Sequence, residues 1–205
     1  MKIIYHRQIT QQAVGGQVSQ RALDAFIAAN IGQDRLRYQI GHDHFHYDSN
    51  AFTRGDAYVE SQQALIQPAL TRGDPHAAWQ AFGRLSHAVQ DLYAHSNYAA
   101  LWLAKNNSTD ITPEQIDPMD AEILSSPGLR SGKPDIFDLL QYLNILPVSW
   151  LKLSPKDSHI LLNIDGPDRA NFEFVFSAAV KRTQFEFSEV LNSLPMDLVK
   201  AFIDI

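Results

Sequence analysis

Residues 75–105 run without an internal proline after Pro75 and with a single glycine, Gly83. That run constrains the fold more than any other stretch. Trp79, Phe82, Leu85, Val89 and Leu92 recur at three- and four-residue steps, which predicts a helix with an apolar stripe. On another face His87, Asp91 and His95 recur at strict four-residue steps. Such a step turns a side chain by about 40° and advances it by about 6 Å, so each of the three neighbours the next, while the two histidines stand about 12 Å apart at the backbone. That is too far to share one ion. The spacing suits two ions with Asp91 in reach of both, and two metals about 3.5–4 Å apart are a recurrent device for phosphoester cleavage. The alternative is a polar helix face whose histidines bond to their neighbours. Further His and Asp clusters along the chain favour metal.

At 205 residues the chain is long enough for one domain with a substantial core, and it is read as a single domain over 1–205. It has no cysteine, so disulfides and thiolate sites are excluded and a metal must be held by imidazole and carboxylate. The formal charge of -6 gives no basic footprint for gripping long nucleic acid. The N-terminal segment lacks the apolar core of a cleavable signal, and no apolar stretch has the length of a membrane span. The expectation is a cytoplasmic protein, or one exported without a cleavable signal.

In chain order, Ile9-Thr10 and a Gly15-Gly16 break precede a strong helix with Leu23, Phe26, Ile27 and Ile31 after Ser19 as cap. His6, outside that helix, reads alone as a surface histidine. Asp34 falls near the helix end, where a carboxylate is poorly placed against the macrodipole and hints at a ligand. His42, His44 and His46 alternate: extended, they share a side; helical, only His42 and His46 do. Asp48 and Ser49 read as caps of the next helix, through Tyr58, Leu65 and Leu70. Asp74 and Pro75 read as the cap and first position of the central helix. A loop-rich excursion spans about 106–134, with one short helix around 119–124. Residues 135–146 are amphipathic, and a last strong helix runs over 168–191 before the Pro195 bend and a short apolar tail.

Several strings carry a family resemblance: His46-Tyr47-Asp48-Ser49-Asn50-Ala51-Phe52, then Ala78-Trp79-Gln80-Ala81-Phe82-Gly83-Arg84-Leu85-Ser86-His87 and Gln90-Asp91-Leu92-Tyr93-Ala94-His95-Ser96-Asn97-Tyr98, and later Ser158-His159 with Leu162-Asn163-Ile164-Asp165. These resemble the Het-C (heterokaryon incompatibility) family, itself similar to zinc-dependent phospholipases C and single-strand-specific zinc nucleases. The resemblance implies an all-α fold, a multi-helix bundle around a polynuclear site of two or three zinc ions. It places His46, His87 and Asp91 on ligand positions of one zinc, with Asp91 bridging, and His95 and His159 on those of a second. Asp34, rather than Asp43, matches the acidic ligand upstream. His6 resembles the histidine that joins the terminal amino group at a third zinc, although Met1 departs from the residue found there. Asn163 stands where an acidic residue is expected, so that Asp165 either substitutes for it or caps the next helix.

The function implied is hydrolysis of a phosphodiester by metal-activated water, with Asp34 as the catalytic carboxylate that orients or deprotonates that water. A phospholipid head group is preferred as substrate, with peripheral membrane contact, over single-stranded nucleic acid, since no Arg/Lys row follows a polyanion. Trp102 and Trp150 are candidates to seat a head group, or core residues. The rivals are a non-catalytic toxin or membrane-acting module with a structural zinc site, and a helical interaction domain with surface histidines.

Overall fold

The computed structural model describes residues 1–35, 38, 41–107, 110–133 and 162–205. These residues form eight helices and no strand. The helices are α1 (Ile3–Val14), α2 (Gln20–Gly32), α3 (Phe52–Thr71), α4 (Pro75–Ala94), α5 (Tyr98–Asn106), α6 (Ala121–Leu124), α7 (Phe172–Ser193) and α8 (Met196–Ile203). The described part of the fold is therefore all-α. None of the described helices is long and apolar enough to cross a membrane.

The α4 helix is the axle of the bundle. It packs against α2, α3 and α7, while α1 lies across α2 and α7. From Ala78 to Ala94 nearly every side chain of α4 is buried, polar ones included, as befits a helix enclosed on all sides. Its apolar stripe joins an aromatic cluster in which Phe82 meets Phe26 of α2, Phe187 of α7 and Phe202 of α8 at ring separations of 4.7, 5.5 and 5.9 Å. Burying each such ring contributes about 1.5–3 kcal/mol. Gly83 lets α2 approach: a Cβ there would lie 2.4 Å from the Phe26 carbonyl oxygen.

The caps follow their sequence signals. Ser19 accepts from the Ala22 N–H, and Asp74 accepts from the Ala77 N–H ahead of Pro75. Three expectations are corrected. The predicted helix over 75–105 is two helices, because the Ser96 hydroxyl turns back to the Leu92 carbonyl and Asn97 bonds to Gly128 and Arg130, tying the corner to the loop. Asp48 and Ser49 cap no helix: α3 starts at Phe52 without a side-chain cap. The last long helix starts at Phe172, not Asp168, whose carboxylate instead pairs with Lys2. The amphipathic stretch at 135–146, Trp150 and His159 lie outside the described residues. Trp102 is core, and so is Phe202 of the apolar tail, whose carbonyl accepts from the Trp79 indole N–H at 2.8 Å.

Candidate metal centre

The polar face of α4 closes on α1, the end of α2 and the turn before α3, and the groups meet around one carboxylate. Asp91, fully buried, presents its two oxygens to two different sets of partners. Its Oδ2 lies 2.9 Å from His46 Nδ1 and 2.9 Å from His87 Nε2, and these two nitrogens are 3.0 Å apart. Its Oδ1 lies 3.3 Å from His6 Nε2, 3.5 Å from His95 Nε2 and 3.0 Å from the Met1 amino nitrogen. That nitrogen also stands 3.0 Å from His95 Nε2 and 3.1 Å from Asp165 Oδ1. Asp34 Oδ1 is 3.7 Å from His87 Nε2.

His6, Asp34, His87 and Asp91 each offer a ligand atom, and the four atoms fall within 4.8 Å of one another, so that this group could hold a metal ion. The donors fit one. His46 Nδ1, His87 Nε2 and Asp91 Oδ2 form a triangle with edges of 2.9–3.0 Å, close to the roughly 3.3 Å between ligand atoms of a tetrahedral ion with bonds near 2.0 Å. His6 Nε2, which faces Asp91 Oδ1, is buried and has no hydrogen-bond partner among the described residues. A buried imidazole nitrogen left so is costly unless something binds it.

The electrostatics favour a cation. Burial pushes the His87 imidazole down to about 4, against the pull of Asp91, so a lone pair is present at neutral pH. Burial opposes the charge on the Met1 amino group, but Asp91, Asp165 and Asp34 outweigh it and raise that group to about 11. Asp91 stays well below the usual carboxylate range, because His95, the amino group, His87 and His6 together overcome its burial.

Outer partners orient the rings. Gln90 Oε1 accepts from His6 Nδ1–H at 2.7 Å and from Asn30 at 3.1 Å, while its amide donates to Thr10 and Thr183. With the proton of His6 on Nδ1, its Nε2 lone pair faces Asp91. Asp48 Oδ1 accepts from His95 Nδ1 at 3.0 Å, but there burial is outweighed by Asp91 and Asp48, which raise the imidazole to about 9, so that Nε2 would give up a proton on ligating. Such carboxylate and amide partners fix tautomer and ring direction at metal sites. The turn that delivers His46 and Asp48 passes through Tyr47 with φ of 55°, followed by Ser49 and Asn50 also in the left-handed region. Each costs about 1–3 kcal/mol in backbone strain, a cost found mostly at functional sites. Tyr47 is held there by its hydroxyl, which donates to Asp56 at 2.8 Å.

Of the residues picked out in the sequence, His6, Asp34, His46, His87, Asp91, His95 and Asp165 thus come together, and Asp34 rather than Asp43 joins the four-residue group. His6 is completely buried rather than superficial. Asp165 is 40% exposed and reaches the edge through the Met1 nitrogen. In the sequence Gln90 has no role beyond its place in the string that carries the resemblance, Asp48 reads as a cap, and the terminal amino group is left open because Met1 departs from the residue expected there. Gln90 adjoins Asp91 in sequence, but its partners on α1, α2 and α7 are remote along the chain, so no local signal marks it.

An all-helical bundle with a buried His/Asp cluster on its central helix defines the class. Within it, the chain belongs to the family described as the VWA7 N-terminal domain, whose sequence model matches residues 4–121. The matched span contains His6, Asp34, His46, His87, Asp91 and His95 and ends before Asp165. No curated protein and no solved structure matches the chain.

Proposed function

We propose that this protein is a zinc-dependent phosphodiester hydrolase of the phospholipase C type, similar to the Het-C family, with the cluster around Asp91 as a site for two or three zinc ions. The observation that carries the reading is the double aspect of Asp91, one oxygen toward His46 and His87 and the other toward His6 and His95. Bound there, zinc would supply Lewis-acid polarisation of a phosphoryl oxygen and a more acidic water at neutral pH.

The chain's own residues supply the rest. His6, His46, His87, His95 and Asp91 would hold the ions, and Gln90 and Asp48 orient the His6 and His95 rings. Asp34, 20% exposed at its side chain, is the carboxylate at the solvent edge and accepts the proton of the attacking water at a carboxylate oxygen. It also lines a groove of about 560 Å³ with Arg7, whose guanidinium suits a nonbridging phosphate oxygen, with the Asp24 carboxylate, and with Ile3, Ile27 and Ile31 as an apolar wall. No aromatic side chain among the described residues lines that groove. A single-stranded nucleic acid would lack its stacking platform. The groove therefore favours a phospholipid head group met at a membrane surface.

Elemental analysis of protein purified without added metal tests the centre: more than one zinc per chain is expected, and less than about half an equivalent of any transition metal would remove the claim. Phosphatidylcholine vesicles, single-stranded DNA and a chromogenic phosphodiester, assayed with wild type and His87→Ala, test the reaction. Turnover of the vesicles that is lost in the variant is the expected result. Nuclease activity alone would reverse the substrate, and full metal content without turnover of any of the three would make the site structural.

A further inference from the structure

A second cleft, of about 240 Å³, lies between α2 and α4 and is lined by none of the residues that surround Asp91. On the α2 side Ala25, Ala29 and Gly32 leave a low floor. His76, Gln80 and Arg84, at strict four-residue steps along α4, supply the facing wall, since that spacing puts three side chains on one helix face. Arg35 lines it from the segment just beyond α2.

The chemistry of this lining is one-sided. Two guanidiniums and an imidazole face the cleft, and no carboxylate among the described residues does, in a chain of formal charge -6. Arg84 is half-buried. The guanidinium of neither Arg84 nor Arg35 makes a hydrogen bond or ion pair with any described residue, whereas Arg21, Arg182 and Lys105 each hold a carboxylate. A half-buried guanidinium without a partner keeps all five N–H donors for a ligand. Gln33, also on the lining, is already committed to the Tyr58 hydroxyl at 2.6 Å. What the cleft still offers is positive charge and donors arriving from two helices.

We infer that this cleft binds a phosphate group, free or terminal on a small ester, gripped by Arg84 and Arg35 with His76 exposed at its rim. A carboxylate presents two oxygens in a plane. A phosphate presents three acceptor oxygens and a charge of about −1.5 to −2, which matches donors converging from separate walls better than a single fork would. The site stands whether or not the Asp91 cluster holds metal, because the two share no ligand.

The test is calorimetric titration of the protein as purified with inorganic phosphate and, separately, glycerol phosphate, using wild type, Arg84→Gln and His76→Ala. Arg84→Gln should weaken binding about tenfold or more, the scale of lost charge-assisted hydrogen bonds, with metal content unchanged. His76→Ala, at an exposed position, should weaken it about two- to fivefold, as for the loss of one hydrogen bond. The tighter-bound probe identifies the source of the phosphate. Binding that is equal in wild type and both variants would put the phosphate on the Asp91 cluster and overturn the inference. No binding by wild type at millimolar phosphate would overturn it as well.

Discussion

His46 and its neighbours His42 and His44 lie within five residues and occupy opposite environments. His46 is buried, 2.9 Å from Asp91 and 3.0 Å from His87. His42 stacks on Phe45 at 4.7 Å with an interplanar angle of 1°, and His44 meets Tyr58 edge-on at 5.9 Å. Neither outer ring forms an ion pair with a described carboxylate. The His44 imidazole is pushed down by burial and then by Arg54, the wrong company for a cation. The contrast teaches that imidazole density alone does not make a metal site. What sets the inner cluster apart is a buried carboxylate with two faces, which supplies the charge that the rings cannot when neutral.

The strongest way to break the comparison is to neutralise that carboxylate. Asp91→Asn leaves the Met1 amino group and four imidazoles without their shared anion, and loss of one partner from a buried charge pair costs about 3–5 kcal/mol. Metal should be lost along with stability, since binding is linked to folding. His6→Ala removes one ligand from the edge of the set and should cost less. Urea denaturation and elemental analysis of both variants check this. Equal, small effects would reduce Asp91 to a helix-face acid.

A smaller change sharpens it. Asp48→Asn keeps the shape of the side chain but weakens its grip on His95 Nδ1, now 3.0 Å away. Removing such an outer partner typically lowers metal affinity about 10–100-fold without emptying the site. Competition against a graded chelator would read the shift. An unchanged affinity would return Asp48 to a purely structural role.

What the sequence made legible was whatever repeats locally. The apolar stripe and the four-residue steps of α4 show in the spacing, and so do the Ser19 and Asp74 caps. His6 was misplaced for a physical reason: the buried face of α1 carries His6 and Thr10 alongside Ile9, Ala13 and Val14, so polar side chains hide the helical pattern. They are tolerated inside because Gln90 bonds to both. Asp48 resembled a cap because Asp and Ser before an apolar run usually are. Here three left-handed residues carry the chain past the capping position, and the Asn50 amide N–H and side chain bond to Ser131 instead. The break at Ser96 depends equally on that distant loop. In each case the deciding partner lies tens of residues away, beyond any window in which periodicity is read.

The mildest prediction concerns the outer histidines. The alternating His42, His44 and His46 look equivalent in sequence, and a metal reading of the whole tract would make all three ligands. The short 3-10 turn at Asp43–Phe45 separates them instead, sending His42 and His44 to Phe45 and Tyr58 and leaving His46 to the core. Replacing both outer rings, His42→Ala with His44→Ala, removes aromatic contacts worth about 0.5–1.5 kcal/mol each beyond their area. Part of that is recovered, since Phe45 and Tyr58 remain packed on one another at 4.2 Å. The double variant should therefore lose about 1 kcal/mol or less of stability, with metal content and phosphodiester turnover at wild-type levels. Metal analysis is the decisive reading. A double variant that loses half its metal would mean that the outer rings deliver or share an ion with the inner cluster, and the division between the two groups would fail.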